Sequence, residues 1–103
     1  MIKVVNTKDV VIKNILAHIT NTGGNYSSWY VGIAQDPKKR LFQDHNVKEV
    51  GDAWVYDQCL DNMSAREIED YFVNKLNTDG GTGGGDENAI FVYAYRKTSS
   101  TLE

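Results

Sequence analysis

The sequence predicts an α+β domain with a small central sheet of about three strands, antiparallel or mixed, flanked by helices. Two observations support this prediction. Stretches with apolar residues at helical spacing alternate along the chain with short stretches of strand-like pattern. The 103 residues contain neither a linker that would separate domains nor an internal repeat. A chain of this length suits one compact domain and is too short for two. We therefore expect a single domain at 1–101, with Leu102-Glu103 a cloning-site remnant.

The first helical pattern lies near the N-terminus. Apolar residues recur at helical spacing across 11–19, and Thr7 or Asp9 can cap the start of the helix. A short strand at 2–5 is expected before it. The stretch 20–28 is polar and contains glycine, so it predicts a loop.

The stretch that follows this loop predicts a strand with two different faces. One face carries large apolar side chains, those of Trp29, Val31 and Ile33. The other carries one phenol and two small residues, which are Tyr30, Gly32 and Ala34. A glycine inside a strand often marks a place where another part of the chain or a ligand comes close. We expect such a close approach at Gly32.

The rest of the chain predicts two more helices and two more strands. An acidic residue followed by proline at Asp36-Pro37 favours a helix start, and we expect that helix to run to about residue 46. The remaining predicted elements are a strand at 53–60, a long helix at 61–77, a glycine-rich loop at 78–88 and a strongly strand-like run at 89–96.

Charge and cysteine content limit the classes of partner. The chain has 11 Lys and Arg against 14 Asp and Glu, a net charge of −3, so a local patch would have to hold any nucleic acid. The single cysteine, Cys59, cannot form an intrachain disulfide, which favours a reducing cytoplasm. No window approaches the roughly 18 apolar residues of a membrane span. We expect a cytoplasmic protein with no membrane partner.

One carboxylate falls on the apolar face of the long helix at 61–77. A step of about 100° per residue places Glu69 between Val73 and Leu76, whereas Glu67 and Asp70 face solvent. A carboxylate on a packed face is unfavourable unless a cation, a metal ion or hydrogen-bond donors satisfy it. Glu69 therefore pairs with a lysine or arginine of a neighbouring element, reaches out past the edge of the apolar stripe, or is a functional carboxylate.

The other charged candidates have simpler explanations. Arg40 and Asp44 are four residues apart and can form an ion pair on a solvated helix face. Lys38 and Lys39 are expected to be surface lysines. His45 lies toward the packed side of its helix, where a histidine is more often a core residue than a general base. The histidines and the cysteine do not have zinc-ligand spacing.

The glycine-rich loop does not match a phosphate-binding motif. Its glycines fit neither the dinucleotide-binding nor the P-loop pattern, and the loop follows a helix, whereas phosphate-binding loops lie between a strand and a helix. It is interpreted as a connector. A backbone anion nest, or a loop that closes over a site, is the alternative.

Several of these residues together suggest a family. The run Tyr30-Val31-Gly32, then Ala34-x-Asp36, then Lys39-Arg40 one turn into a helix, resembles the second half of the GIY-YIG nuclease module. In that family a Y-[IV]-G strand leads into a helix with a catalytic arginine, and a later helix supplies one metal-binding glutamate, which Glu69 matches. The resemblance covers roughly residues 28–77. The whole chain also resembles small phage and bacterial proteins that end in a Gly-rich loop and a V-Y-A-Y strand.

The resemblance has a gap that another part of the chain can fill. The first strand of the family, which carries Gly-Ile-Tyr, is absent here, because a helix and a polar loop stand in its place. If the C-terminal strand lies antiparallel beside the Tyr30 strand, it presents Tyr93 or Tyr95 where the missing tyrosine would be. A GIY-YIG-like fold with a permuted strand is therefore expected.

The resemblance also implies a chemistry, hydrolysis of a phosphodiester with the help of one Mg²⁺ or Mn²⁺. Glu69 would hold the metal and Arg40 would neutralise charge on the phosphate. The water-activating group would be one of Tyr30, Tyr93, Tyr95 and His45. Lys38 and Lys39 would contact flanking phosphates of the nucleic acid.

A second hypothesis keeps the fold without the catalysis. The protein would then be an interaction module whose Gly-rich loop and aromatic strand contact a protein partner. The missing Gly-Ile-Tyr and the acidic net charge favour this alternative, whereas Arg40 and an inward-facing Glu69 favour the nuclease.

Overall fold

A mixed four-stranded sheet, with helices packed on both faces, forms the centre of the molecule. The computed structural model describes residues 7–80 and 87–103, so the expected strand at 2–5 and most of the glycine-rich loop lie outside the described residues. The helices are α1 (Lys8–Asn21), a π-helix (Lys39–Asp44) and α2 (Asn62–Asp70), which continues as a second π-helix (Tyr71–Lys75). The strands are β1 (Trp29–Ala34), β2 (Trp54–Gln58), β3 (Asp79–Gly80) and β4 (Phe91–Arg96).

The strand order corrects the prediction of about three strands. The order is β2-β4-β1-β3, in which β4 runs antiparallel to both neighbours and β3 runs parallel to β1. The fourth strand, β3, lies inside the predicted glycine-rich loop. Two residues are too few to show the alternation by which a strand is recognised. The predicted α+β class is confirmed.

The side chains of β1 alternate between two faces as predicted, and the two faces pack against different helices. The face of Trp29, Val31 and Ile33 packs against buried residues of α1, α2 and the second π-helix, which include Val11, Ile15, Ile19, Ala65, Ile68 and Phe72. The opposite face carries a second cluster of buried residues, which are Tyr30, Ala34, Leu41, Val47, Tyr93 and Tyr95. This second face also holds the candidate site.

The helix that follows β1 begins where the sequence predicted and ends slightly earlier. The Asp36 side chain accepts a hydrogen bond from the Lys39 N–H at 3.2 Å, which caps the start. The His45 N–H then donates to the Arg40 carbonyl at 2.8 Å, five residues back, which makes the turn a π-helix. Such wide turns occur frequently at functional sites. Asn46, with φ of 57°, stops the helix.

None of the helices within the ranges 7–80 and 87–103 has the length and apolar character needed to cross a membrane.

Gly32 makes room for the phenol of Tyr93. The two residues are register partners in the β1–β4 pair, and a Cβ atom at Gly32 would lie 2.6 Å from the Tyr93 hydroxyl oxygen. The expected close approach is therefore present. Gly32→Ala is expected to lower the free energy of unfolding by roughly 1–3 kcal/mol, because overpacking displaces the ring. Urea denaturation measures this loss.

A double mutant tests the physical cause of that loss. Tyr93→Leu removes the hydroxyl and the ring atoms that the new methyl group would meet, so Gly32→Ala should destabilise this background much less than the wild type. An equal loss in both backgrounds would show that the backbone of β1, rather than the Tyr93 ring, requires glycine at this position.

Candidate active site

The structure brings four of the predicted site residues into one cluster. Tyr30 of β1 lies opposite Tyr95 of β4 in an antiparallel pair, so the expected position of the C-terminal strand is confirmed. The Tyr30 ring centroid is 4.7 Å from that of His45 and 5.2 Å from that of Tyr95, and the Tyr93 centroid is 6.3 Å away. We call Tyr30, His45, Tyr93 and Tyr95 the aromatic cluster. All four are buried.

Hydrogen bonds define the tautomer of His45. Its Nδ1 lies 2.7 Å from the carbonyl oxygen of Leu102, which can only accept, so Nδ1 carries a hydrogen. Burial lowers the pKa of His45, and the nearby Arg40 charge lowers it further, which favours the neutral ring. Nε2 is then an acceptor, and the Tyr93 hydroxyl donates to it at 2.8 Å. The proton of Tyr93 is thus directed toward a neutral base.

Tyr30 and Tyr95 flank this base. Burial raises the pKa of Tyr30 most strongly, and the Arg40 charge opposes that rise. Tyr95 lies at the other side of the imidazole, with its hydroxyl 3.1 Å from His45 Nδ1, and it donates to the Leu102 carbonyl oxygen at 3.2 Å. Hydrogen bonds therefore link Tyr93 and Tyr95 to His45, whereas Tyr30 contacts the imidazole through its ring.

Arg40 stands at the edge of the cluster with one donor unused. The expected ion pair is present, because Nη1 lies 3.4 Å from Asp44 Oδ2, and both side chains are about two-fifths exposed, at 43% and 41%. The guanidinium also lies within electrostatic range of the Tyr93 hydroxyl, which raises the pKa of Arg40. Its Nε is buried and has no hydrogen-bond partner among the described residues. The surface ion pair therefore does not account for the whole guanidinium.

Glu69 is half-buried near the end of α2. Burial raises its pKa to about 7, against the opposing effect of the Arg66 charge. Its Oε2 is buried without a hydrogen-bond partner, and within the described part of the chain Glu69 forms no ion pair. The described residues therefore do not support a closed ion pair with a neighbouring element, which was one of the three predicted explanations.

Arg40 and Glu69 act on the same phenols with opposite effects. The Arg40 charge lowers the pKa values of Tyr30 and Tyr93, and the Glu69 charge raises them, while burial raises both most strongly. Both charged groups therefore lie within electrostatic range of one pair of hydroxyls. Arg40 and Glu69 are both partly exposed, whereas the aromatic cluster is buried. Glu69 belongs to α2, which packs on the Trp29 face of the sheet, whereas Arg40 belongs to the π-helix on the opposite face.

The two remaining predicted residues lie at the start of the π-helix. Lys38 and Lys39 are exposed and adjacent in sequence to Arg40, so the structure presents three successive cations beside the site.

Sequence reasoning missed two features of the site. Leu102, set aside as a remnant, supplies the carbonyl that fixes the His45 tautomer, and its N–H donates to the His45 carbonyl at 2.8 Å. A row of half-buried aromatic residues, Trp54, Tyr56 and Phe91, extends the second face beyond Tyr93. The alternation of Trp54 and Tyr56 was a signal for this row, but their pairing with β4 was needed to place it.

Comparisons with protein-family models, with curated proteins and with solved structures found no match for this chain.

Proposed function

We propose that the protein is a metal-dependent phosphodiesterase that cleaves nucleic acid in the manner of GIY-YIG nucleases. One observation carries the proposal. Arg40 and Glu69, of opposite charge, each affect the pKa values of Tyr30 and Tyr93, form no ion pair with each other, and each keep a buried polar atom without a partner among the described residues. Buried unpaired polar atoms are unfavourable in a folded protein. A bound phosphate and a metal ion would satisfy both.

The donor set fits a hard divalent cation. Among the described residues no group of three or more His, Cys, Asp and Glu side chains could hold a metal ion. Glu69 would therefore not be part of a zinc-type site made of protein ligands from these residues. Mg²⁺ and Mn²⁺ suit a single carboxylate, because Mg²⁺ keeps several waters and takes phosphate oxygens as ligands. Glu69 would hold the ion, which when bound would stabilise negative charge on the leaving oxygen.

The protein side chains would divide the remaining work. Arg40 would donate to the non-bridging oxygens of the phosphate and stabilise the charge that develops there. Tyr30, the least buried phenol of the cluster, would orient the attacking water. His45 Nε2 would be the final acceptor of the water's proton through the Tyr93 hydroxyl, which would take up that proton as it gives its own to Nε2. Tyr95, which is fully buried, would act by positioning His45.

Substrate binding would be weak and independent of sequence. Lys38 and Lys39 would contact flanking phosphates, which carry no sequence information. The net charge of −3 opposes binding to a polyanion over longer distances. An ion pair that neutralised Glu69 would favour the interaction-module alternative, and no described residue forms one.

A cleavage assay tests the proposal. Wild-type protein with Mn²⁺ is expected to nick supercoiled plasmid and to cut single-stranded DNA, and Glu69→Gln is expected to slow cleavage about a hundredfold or more. Because the metal needs the ionised carboxylate, and the pKa of Glu69 is about 7, the rate should rise as the pH increases through that value.

A neighbouring carboxylate provides the matched control. Glu67 is exposed and pairs with Lys8 at 2.6 Å, so Glu67→Gln should leave the rate unchanged. Cleavage that persists in EDTA, or that is equally fast with Glu69→Gln, would reject the proposed function.

A further inference from the structure

A cleft of about 530 Å³ lies beside the start of the π-helix, on the same sheet face as the aromatic cluster. Its lining residues are Gln35, Asp36, Pro37, Lys38, Tyr56 and Phe91. Tyr56 is the register partner of Tyr93, and Phe91 is the register partner of Ala34 and Gln58. The strand alternation therefore turns both rings toward the face that carries Arg40.

The aromatic side of the cleft belongs to a row of rings that support one another. Tyr56 and Trp54 stack almost in parallel, with centroids 6.0 Å apart and planes at 10°. Phe91 meets Tyr56 edge-on at 6.2 Å, and Phe42 meets Trp54 edge-on at 5.0 Å. These rings are half-buried rather than enclosed. Sheets use such partly exposed rings to stack unpaired bases.

The other side of the cleft is polar and carries a cation. Gln35 and Asp36 are exposed at its mouth and can hydrogen-bond the amino and carbonyl groups of a base. Lys38 is exposed beside them and complements a phosphate. Arg40 begins about one helical turn, ~5 Å, after Pro37. The cleft thus combines a wall of aromatic rings, polar groups and the Lys38 cation, and Arg40 follows two residues further along the helix.

We propose that this cleft binds one unpaired base of a single-stranded nucleic acid and leads the adjoining phosphate toward Arg40. The base would lie against Tyr56 and Phe91, and Lys38 would contact the backbone. Every base has an aromatic face, so the cleft selects single strands over duplexes without selecting a sequence. The substrate class rests on the proposed function, but base binding needs neither metal nor cleavage.

Fluorescence anisotropy of a labelled oligothymidylate ten-mer in EDTA measures this binding without cleavage. Tyr56→Leu is expected to weaken binding of the ten-mer roughly tenfold, and Lys38→Glu is expected to weaken it to a similar extent. Two controls match these changes on the opposite side of the sheet. Tyr26→Leu removes a half-buried phenol that packs against the other cluster, and Lys13→Glu reverses an exposed charge on α1. Both controls should bind as the wild type does.

Two further probes identify the source of the base. The ten-mer should bind more tightly than a duplex of the same length, and free thymidine monophosphate should compete with it weakly and in a Tyr56-dependent manner. Tighter binding of the duplex, wild-type binding by Tyr56→Leu, or no binding of the ten-mer by the wild type would overturn the inference. Tyr56-dependent binding without cleavage in Mn²⁺ would instead reject the proposed function and support the base site.

Discussion

Glu69→Gln is expected to make the protein more stable at about pH 8 and to leave its stability almost unchanged at about pH 4. Burial raises the pKa of Glu69 from 4.5 to about 7. Between these values the folded protein keeps a proton that the unfolded chain has released, so stability falls as the pH rises through this window and stays lower above it. Glutamine carries no charge and avoids this loss.

The size of the stability gain in Glu69→Gln depends on the pKa shift of Glu69 and on the partial exposure of its side chain. A shift of this extent corresponds to roughly 3 kcal/mol at most. Glu69 is half-buried, and solvent screens part of the effect, so we expect about 1–2 kcal/mol. Urea denaturation at several pH values measures it. Glu67→Gln, at an exposed position, should show no such pH-dependent gain.

The same variant separates a metal site from a structural carboxylate. A ligand that binds the folded state alone raises its stability, so Mn²⁺ at about pH 8 should raise the melting temperature of the wild type and not that of Glu69→Gln. If Glu69→Gln is less stable than the wild type at this pH, donors satisfy the carboxylate in the native protein. Glu69 would then serve the fold rather than a ligand.

The inward position of Glu69 and the two faces of β1 could be predicted because each depends on one repeating geometry. A helix repeats every 3.6 residues and a strand every two, so local sequence suffices to sort their faces. The same local reasoning predicted the cap at Asp36 and the close approach at Gly32. These predictions needed no knowledge of which strands are neighbours.

Features that depend on contacts between distant segments could not be predicted in this way. The His45 tautomer is fixed by the carbonyl of Leu102, and its acceptor nitrogen is filled by Tyr93. The cleft of Tyr56 and Phe91 exists only because β2 and β4 pair in one register. A shift of one residue would turn both rings to the other face. The two residues of β3 do not identify a strand by themselves; β3 forms because these residues pair with the edge of β1.

Arg40→Lys is expected to slow Mn²⁺-dependent cleavage about a hundredfold while the fold and oligonucleotide binding stay nearly unchanged. Lysine keeps the positive charge, so attraction of the strand persists. It lacks the planar fork that can hydrogen-bond two phosphate oxygens at once, and the interaction with the developing charge is therefore lost. Cleavage rates, circular dichroism and the ten-mer anisotropy together measure these three properties.

Asp44→Asn distinguishes this role from that of an ordinary surface ion pair. Asp44 bonds the same guanidinium at a distance of 3.4 Å in a partly exposed pair, and breaking such a pair changes stability by about 0.5 kcal/mol or less. If Arg40 serves the phosphate, Asp44→Asn should leave cleavage within about threefold of the wild-type rate, because the planar fork of Arg40 remains. If Arg40→Lys and Asp44→Asn reduced cleavage equally, Arg40 would contribute only through its ion pair with Asp44. The unpaired Nε would then have no part in catalysis.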